Sequence, residues 1–289
     1  VQEFLTALRT QPWLQWAVLA GLLASVACGV VGTYVVVRRI SYIAGGISHC
    51  VLGGIGAAAY FSTVCGWQWL TPTLGAMMAA LAAAMIIGVV SLRARERVDT
   101  VIGALWAVGM AAGVLFISQT PGYQAHLMSY LLGEILLVRP EDVWSIAALD
   151  VGILVIVLLF YKQLLAVCFD EEQARVRGVN VDAYYLLLLA LTALTVVLLA
   201  WVVGIVMVIA LLTLPVAIAG HFTRRLWQMM LLAVALSMVF TLAGQAVSWQ
   251  LDFPTGATII LLAGAVYLLV IVGRRAAQVL VKGRAGREK

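Results

Sequence analysis

Three histidines stand in this 289-residue chain, and one of them, His49, occupies a place where an imidazole is costly. It lies ten residues beyond Arg39, in a run that is otherwise apolar and rich in glycine. Ten helical residues rise ~15 Å, about half of the ~30 Å hydrocarbon layer of a membrane. An ionisable group at that depth costs at least a few kcal/mol, so it asks for a reason. Gly45, His49 and Gly53 recur at i, i+4 and i+8 and share one helix face, where the two glycines leave the imidazole uncovered. Imidazole suits zinc and other borderline transition metals, which makes a metal path the first reading of that face. The plainer reading makes Gly45 and Gly53 a small-residue packing seam, with His49 bonded to a neighbouring helix. Cys50 is rotated ~100° from His49 and reads as packing.

Other polar groups could complete a metal path. Asp150 lies some eight residues inside an apolar run, with no charge partner nearby in sequence. It faces either a water-filled cavity or a polar group on another segment. Asp99 opens a further apolar run, as an N-cap or as a carboxylate at an inner exit. His126 and Glu134 are two helical turns apart around the core LMSYLLGEILLV, which is apolar but too short to span, so a re-entrant or interfacial helix is expected. Both could face an outer entrance; for His126 a solvated loop is the plainer reading. Other chemistries lack their motifs. GxxxxGK[ST], HExxH and GxSxG are absent, as are paired intramembrane aspartates, so neither P-loop ATP hydrolysis nor intramembrane proteolysis is expected of this chain.

The elements that position these residues follow from composition. Hydrophobic residues make up 64% and charged residues 11%, against roughly 25% charged in a soluble domain. Lipid is the solvent that such a chain fits, and in lipid the backbone must satisfy itself in helices or a closed barrel. Runs of ~20 apolar residues without alternation select helices. Apolar runs between charged breaks predict spans at about 13–37, 40–62, 70–92, 99–118, 143–162, 182–202, 204–220, 226–248 and 254–273. The split near Trp201–Gly204 decides between eight and nine. The opening residues read as a short amphipathic lead-in rather than a signal peptide. A single membrane domain over 1–289 is expected, and the four cysteines, without framework spacing, predict no disulfide.

Nine spans place 16 of the 18 Lys and Arg on one side, Arg9 and Arg139 being the exceptions. That side is expected to be cytoplasmic, with the N-terminus outside and the C-terminus inside. The net charge of +5 belongs to this asymmetry and argues for anionic lipid headgroups near the basic tail 274–289 rather than for nucleic acid. The longest inner connection, FDEEQARVRGVNVD at 169–182, combines a short amphipathic helix with Gly178 as its terminator. Mixed charge in so long a loop fits a docking element for a cytoplasmic partner; the plainer reading is an ordinary solvated loop.

Six segments in order carry a resemblance. They are RRISYIAGGISHCVLGGIG (38–56), VDTVIGALWAVGMAAGVLFIS (98–118), LMSYLLGEILLVRPED (127–142), FDEEQARVRGV (169–179), VGIVMVIALLTLPVAIAGHFTRR (203–225) and PTGATIILLAGAVYLL (254–269). Together they resemble the membrane-permease family of ATP-binding-cassette importers for zinc and manganese, over nearly the whole chain. The resemblance implies an all-α, type II importer-like permease in a bacterial inner membrane. It implies a homodimer with two cytoplasmic ATP-binding subunits and an extracytoplasmic metal-binding protein. Metal would then be transported substrate with no permanently bound cofactor, and the chain itself would not be an enzyme. The segment holding Phe169, Asp170, Glu171, Glu172, Ala174 and Gly178 looks like the one that contacts the ATPase, and His49 like a metal contact in transit. Many relatives carry Asp four residues before the histidine, where this chain has Gly45; Glu134 or Asp150 would have to substitute. The region 127–142 looks closer to zinc permeases, and a lost oxygen ligand leans the same way, so zinc is expected ahead of manganese. One rival shares the architecture, a permease for a metal chelate such as cobalamin or a siderophore; another, from a different class, is a proton-driven carrier using Asp150 and His49 as relay groups.

Overall fold

The computed structural model describes residues 2–93, 97–121 and 138–285. Every regular element among the described residues is a helix: α1 (Gln2–Thr10), α2 (Pro12–Val37), α3 (Ser41–Val64), α4 (Pro72–Arg93), α5 (Val98–Ser118), α6 (Pro140–Leu159), α7 (Tyr161–Phe169), α8 (Glu171–Val176), α9 (Val181–Val203), α10 (Ile205–Gly220), α11 (Leu226–Leu251) and α12 (Thr255–Ala285). Seven of these, α2 to α6 with α11 and α12, are long and apolar enough to cross a membrane. Val181–Val197 of α9 and Ile205–Gly220 of α10 are shorter apolar helices. The chain is therefore an all-α polytopic membrane protein. The short lead-in is α1, whose Phe4 and Ala7 pack with Leu14 of α2 and Trp249 of α11.

The helix break that sequence reasoning places near Trp201–Gly204 falls at Gly204. Its φ of 87° and ψ of 148° lie where only glycine is at ease. The amide of Gly204 still bonds to the Ala200 carbonyl while its own carbonyl starts α10 by accepting from Val208. After this break α10 runs for only 16 residues, or ~24 Å. Gly204→Ala is expected to destabilise the fold by about 1–3 kcal/mol, because a Cβ strains that backbone. Thermal unfolding in detergent checks this.

Burial orders the helices. α2 and α3 are buried along most of their length, whereas α5, α6 and α12 turn most of theirs outward. α2 packs against α11, α10 and α6, and α3 against α5 and α4. At one end Trp13 meets Trp249, and Trp67 stacks between Phe61 and Trp69. Exposed tryptophans at one level fit the interfacial belt of a membrane protein. The arginine-rich corners gather at the other end, where Arg274 donates to the His221 carbonyl and lies over Phe222.

Candidate metal pathway and coupling segment

Glycine decides how closely the helix bearing His49 is approached. α5 runs beside α3 in the same direction, with Gly46 facing Ile102, Gly53 facing Gly109 and Gly56 facing Gly113. A methyl group on Gly53 would lie 2.8 Å from the Gly109 carbonyl oxygen, and one on Gly113 2.7 Å from that of Leu52. No room for side chains exists there. On the far side of α3, Gly54 meets Gly75 of α4 in the same manner. Small residues that let backbones approach are the general means by which membrane helices gain contact, since lipid supplies no hydrophobic drive between them.

The face expected to leave His49 uncovered is thus occupied by α5. Gly53 seats the Gly109 backbone, and Gly45 lies beside the Trp106 ring, whose nearest atom is 3.8 Å from where a Cβ would be. His49 stacks on that indole, with ring centroids 4.2 Å apart and planes 12° from parallel. Its Nδ1 is buried with no hydrogen-bond partner from the protein, although the side chain as a whole is only half-buried. Stacking covers a ring face, whereas the ring nitrogens point in the ring plane, away from the indole, and a neutral imidazole offers a lone pair on one of them. Cys50 makes the packing contact expected of it, its thiol donating to the Leu105 carbonyl at 3.2 Å. All four cysteines are free, as their spacing predicts.

The carboxylates fall elsewhere. Asp150 is buried on α6, which packs mainly on α2, α9 and α7. Cys28 and Ala27 of α2 are its neighbours, and neither carboxylate oxygen has a hydrogen bond of normal geometry. Asp99 is exposed in the first turn of α5. The N-cap there is Arg97, because Val98 is already helical, so Asp99 complements the helix dipole rather than capping the end. His126 and Glu134, with the short helix expected around them, lie outside the described residues. Among the described residues no three His, Cys, Asp or Glu side chains gather as a metal cage. At the start of α6 Asp142, in the third helical position, accepts the amide of the N-cap residue Arg139 at 3.0 Å.

The inner connection 169–182 is capped at both ends and braced by side-chain contacts. Asp170 caps α8 by accepting the Gln173 amide at 2.9 Å. Gly178, at φ 78°, closes the helix in a Schellman turn: its amide bonds to Arg175 and that of Val179 to Ala174. Ala174 is buried with Val167 and Val181, and Arg175 reaches Asp182 at 2.6 Å. Glu171 pairs with Arg38, beyond the end of α2. Phe169 and Val176, by contrast, stand exposed. Behind the block a cavity of about 670 Å³ is lined by Lys162, Phe169, Arg177, Arg224, Arg225 and Trp227 among others. Sequence reasoning missed Trp106 and the Arg38 contact, although Gly109 and Gly113, four apart on α5, signal a close helix neighbour.

The chain matches the ABC 3 transport family over residues 10–274. It is 42% identical to a probable metal transport system membrane protein of Chlamydia pneumoniae, covering 86% of this chain and 85% of that one. It is 33% identical to the manganese transport system membrane protein of Halalkalibacterium halodurans, covering 92% and 89%. Among solved structures it is similar to PsaBC from Streptococcus pneumoniae in complex with Fab, with a TM-score of 0.82, 28% identity and 93% and 94% of the two chains covered.

Proposed function

We propose, on the premise that this chain belongs to the ABC 3 transport family and is the membrane permease of a metal importer, that it carries manganese first, and zinc second, past His49. The observation that carries this reading is the half-buried imidazole, stacked on Trp106 with its Nδ1 unpartnered, on the closely packed α3–α5 pair. The relatives' manganese names reverse the zinc-first order that the missing carboxylate at Gly45 favours. Zinc stays as the second reading because imidazole without a nearby carboxylate suits a borderline metal better than a hard one. Glu134, Asp150, Asp99 and His126 are the candidate further ligands. Asp150 would need a movement of α6 to reach α3.

In this reading the complex sits in a bacterial inner membrane with its N-terminus outside and its C-terminus in the cytoplasm. Two copies of the chain pair with two ATP-binding subunits, which hydrolyse ATP, and receive metal from an extracytoplasmic binding protein. Exposed Phe169 and Val176 on the capped, well-braced block 169–182 support that segment as the ATPase contact. The transit site holds metal weakly, because a tight site would not release it.

The test is metal uptake by the reconstituted complex with its binding protein, offered manganese, zinc or a cobalamin. ATP-dependent manganese accumulation at least several-fold above zinc is expected. Preferential zinc uptake supports the second reading. Uptake of the chelate alone, or uptake driven by a proton gradient without ATP, overturns both.

A further inference from the structure

Arg38 stands at a junction that the transport reading leaves unused. α2 ends at Val37, and only three residues separate it from α3. The corner is a Schellman turn, with the Arg39 amide bonded to Val36 and that of Ile40 to Val35. Its left-handed position is filled by Arg39 at φ 60°, where glycine is usual. So tight a corner ties the end of α2 directly to the start of α3. From it the Arg38 guanidinium reaches Glu171 in the first turn of α8 and lies 5.5 Å from the Tyr185 ring centroid on α9. Tyr185 in turn hydrogen-bonds Ser91 of α4 through its hydroxyl, at 3.3 Å. One side chain therefore joins the inner block to the root of the helix that carries His49. Glu171 is held from both ends, since Asp170 caps its helix and the Schellman turn at Gly178 closes it. Among the described residues Arg38 is the cation paired with this block from outside its own segment.

We infer that the Arg38–Glu171 pair is the tie through which movement of the 169–182 block reaches α3, making Arg38 a positioning residue for transport; this rests on the reading of that block as the ATPase contact. A displacement of α8 then pulls on the α2–α3 corner, and α3 swings as a lever with His49 ~12 Å along it. Arg suits this role because its planar fork keeps its geometry with both a carboxylate and an aromatic face.

The test uses the whole complex in proteoliposomes and reads metal moved per ATP hydrolysed, with co-purification of the ATP-binding subunits confirmed for each variant. Arg38→Glu and Glu171→Arg are each expected to lower that ratio at least fivefold while ATP hydrolysis persists. The double reversal is expected to restore it to within about twofold. A purely structural role would not move the ratio in this way, and Arg38→Lys is expected to recover part of it. Single reversals that keep the wild-type ratio, or a double reversal no better than the singles, overturn the tie. Should a reversal fail to assemble, Arg38→Gln and Glu171→Gln carry the same test. Equal losses with no further loss in the double support the tie, and additive losses overturn it. Failure of the underlying reading looks different: the wild-type complex then moves no metal, or keeps its ATP-binding subunits when residues 169–182 are replaced by an unrelated linker.

Discussion

Gly109→Leu is expected to unfold or misassemble the protein in detergent, with loss of the monodisperse species and of all transport. A Cβ at Gly109 would fall 2.8 Å from the Cys50 Cα and 3.2 Å from its sulfur, and a leucine adds three more carbons in the same direction. The obstacle is backbone, so no rotamer change relieves it. Helices α3 and α5 must separate by a few ångströms. Overpacking of this kind ordinarily costs about 1–3 kcal/mol. Here the separation also withdraws Gly53 from the Gly109 carbonyl and Leu52 from Gly113, so the cost is expected to exceed that range. Gly113→Leu should behave alike, since its Cβ would sit 2.7 Å from the Leu52 oxygen. Gly152→Leu and Gly264→Leu are the controls. Nothing lies within 4 Å of a Cβ at either, and both are expected to leave the elution profile and melting temperature nearly unchanged. Fluorescence-detected size exclusion after a heating series measures all four. A Gly109→Leu protein that elutes and melts like the wild type would show that the α3–α5 seam does not hold the fold.

What could be read from the sequence divides along local and non-local lines. Span positions were legible because the length of an apolar run and the charges that end it are properties of one segment. The break near Gly204 was legible for the same reason, because the run from Tyr184 to Gly220 is too long for one crossing. Gly178 ended α8 as its type and place implied. Contacts between segments were not legible. Gly45 and Gly53 do share a face with His49, but a helical wheel does not say what lies against that face. Gly109 and Gly113 on α5 admit close approach in matching register, so the face read as open is filled by another backbone and by Trp106. Arg38 and Glu171 are equally ordinary in sequence, an arginine at a span end and a glutamate in a loop. Only the fold brings them together. Asp150 shows the opposite case. Its burial was foreseen from its place in an apolar run, and its neighbours on α2 were not.

His49→Ala is expected to lower ATP-dependent metal uptake at least tenfold while leaving the assembled complex and its ATP hydrolysis intact. The side chain is half-buried and makes no hydrogen bond through Nδ1, so its removal costs the fold chiefly the stack on Trp106. Aromatic pairs of that kind contribute ~0.5–1.5 kcal/mol beyond buried area, which a packed membrane bundle tolerates. Transport is the sensitive readout. Trp106 separates two ways in which His49 can matter. If the imidazole contacts metal, the indole beneath it fixes the plane in which the nitrogens point. A cation carried by the imidazole would also lie close to an electron-rich ring. Trp106→Ala should then reduce uptake severalfold through a raised KM, because the ligand remains but is no longer aimed. Trp106→Phe, which keeps a flat face, should recover most of it. If His49 only fills space, His49→Phe should stack on Trp106 as well as the histidine does and transport normally. Uptake by reconstituted complex, measured across manganese and zinc concentrations for these four variants, decides between the two. A His49→Phe protein with wild-type uptake would end the case for a metal contact at this position.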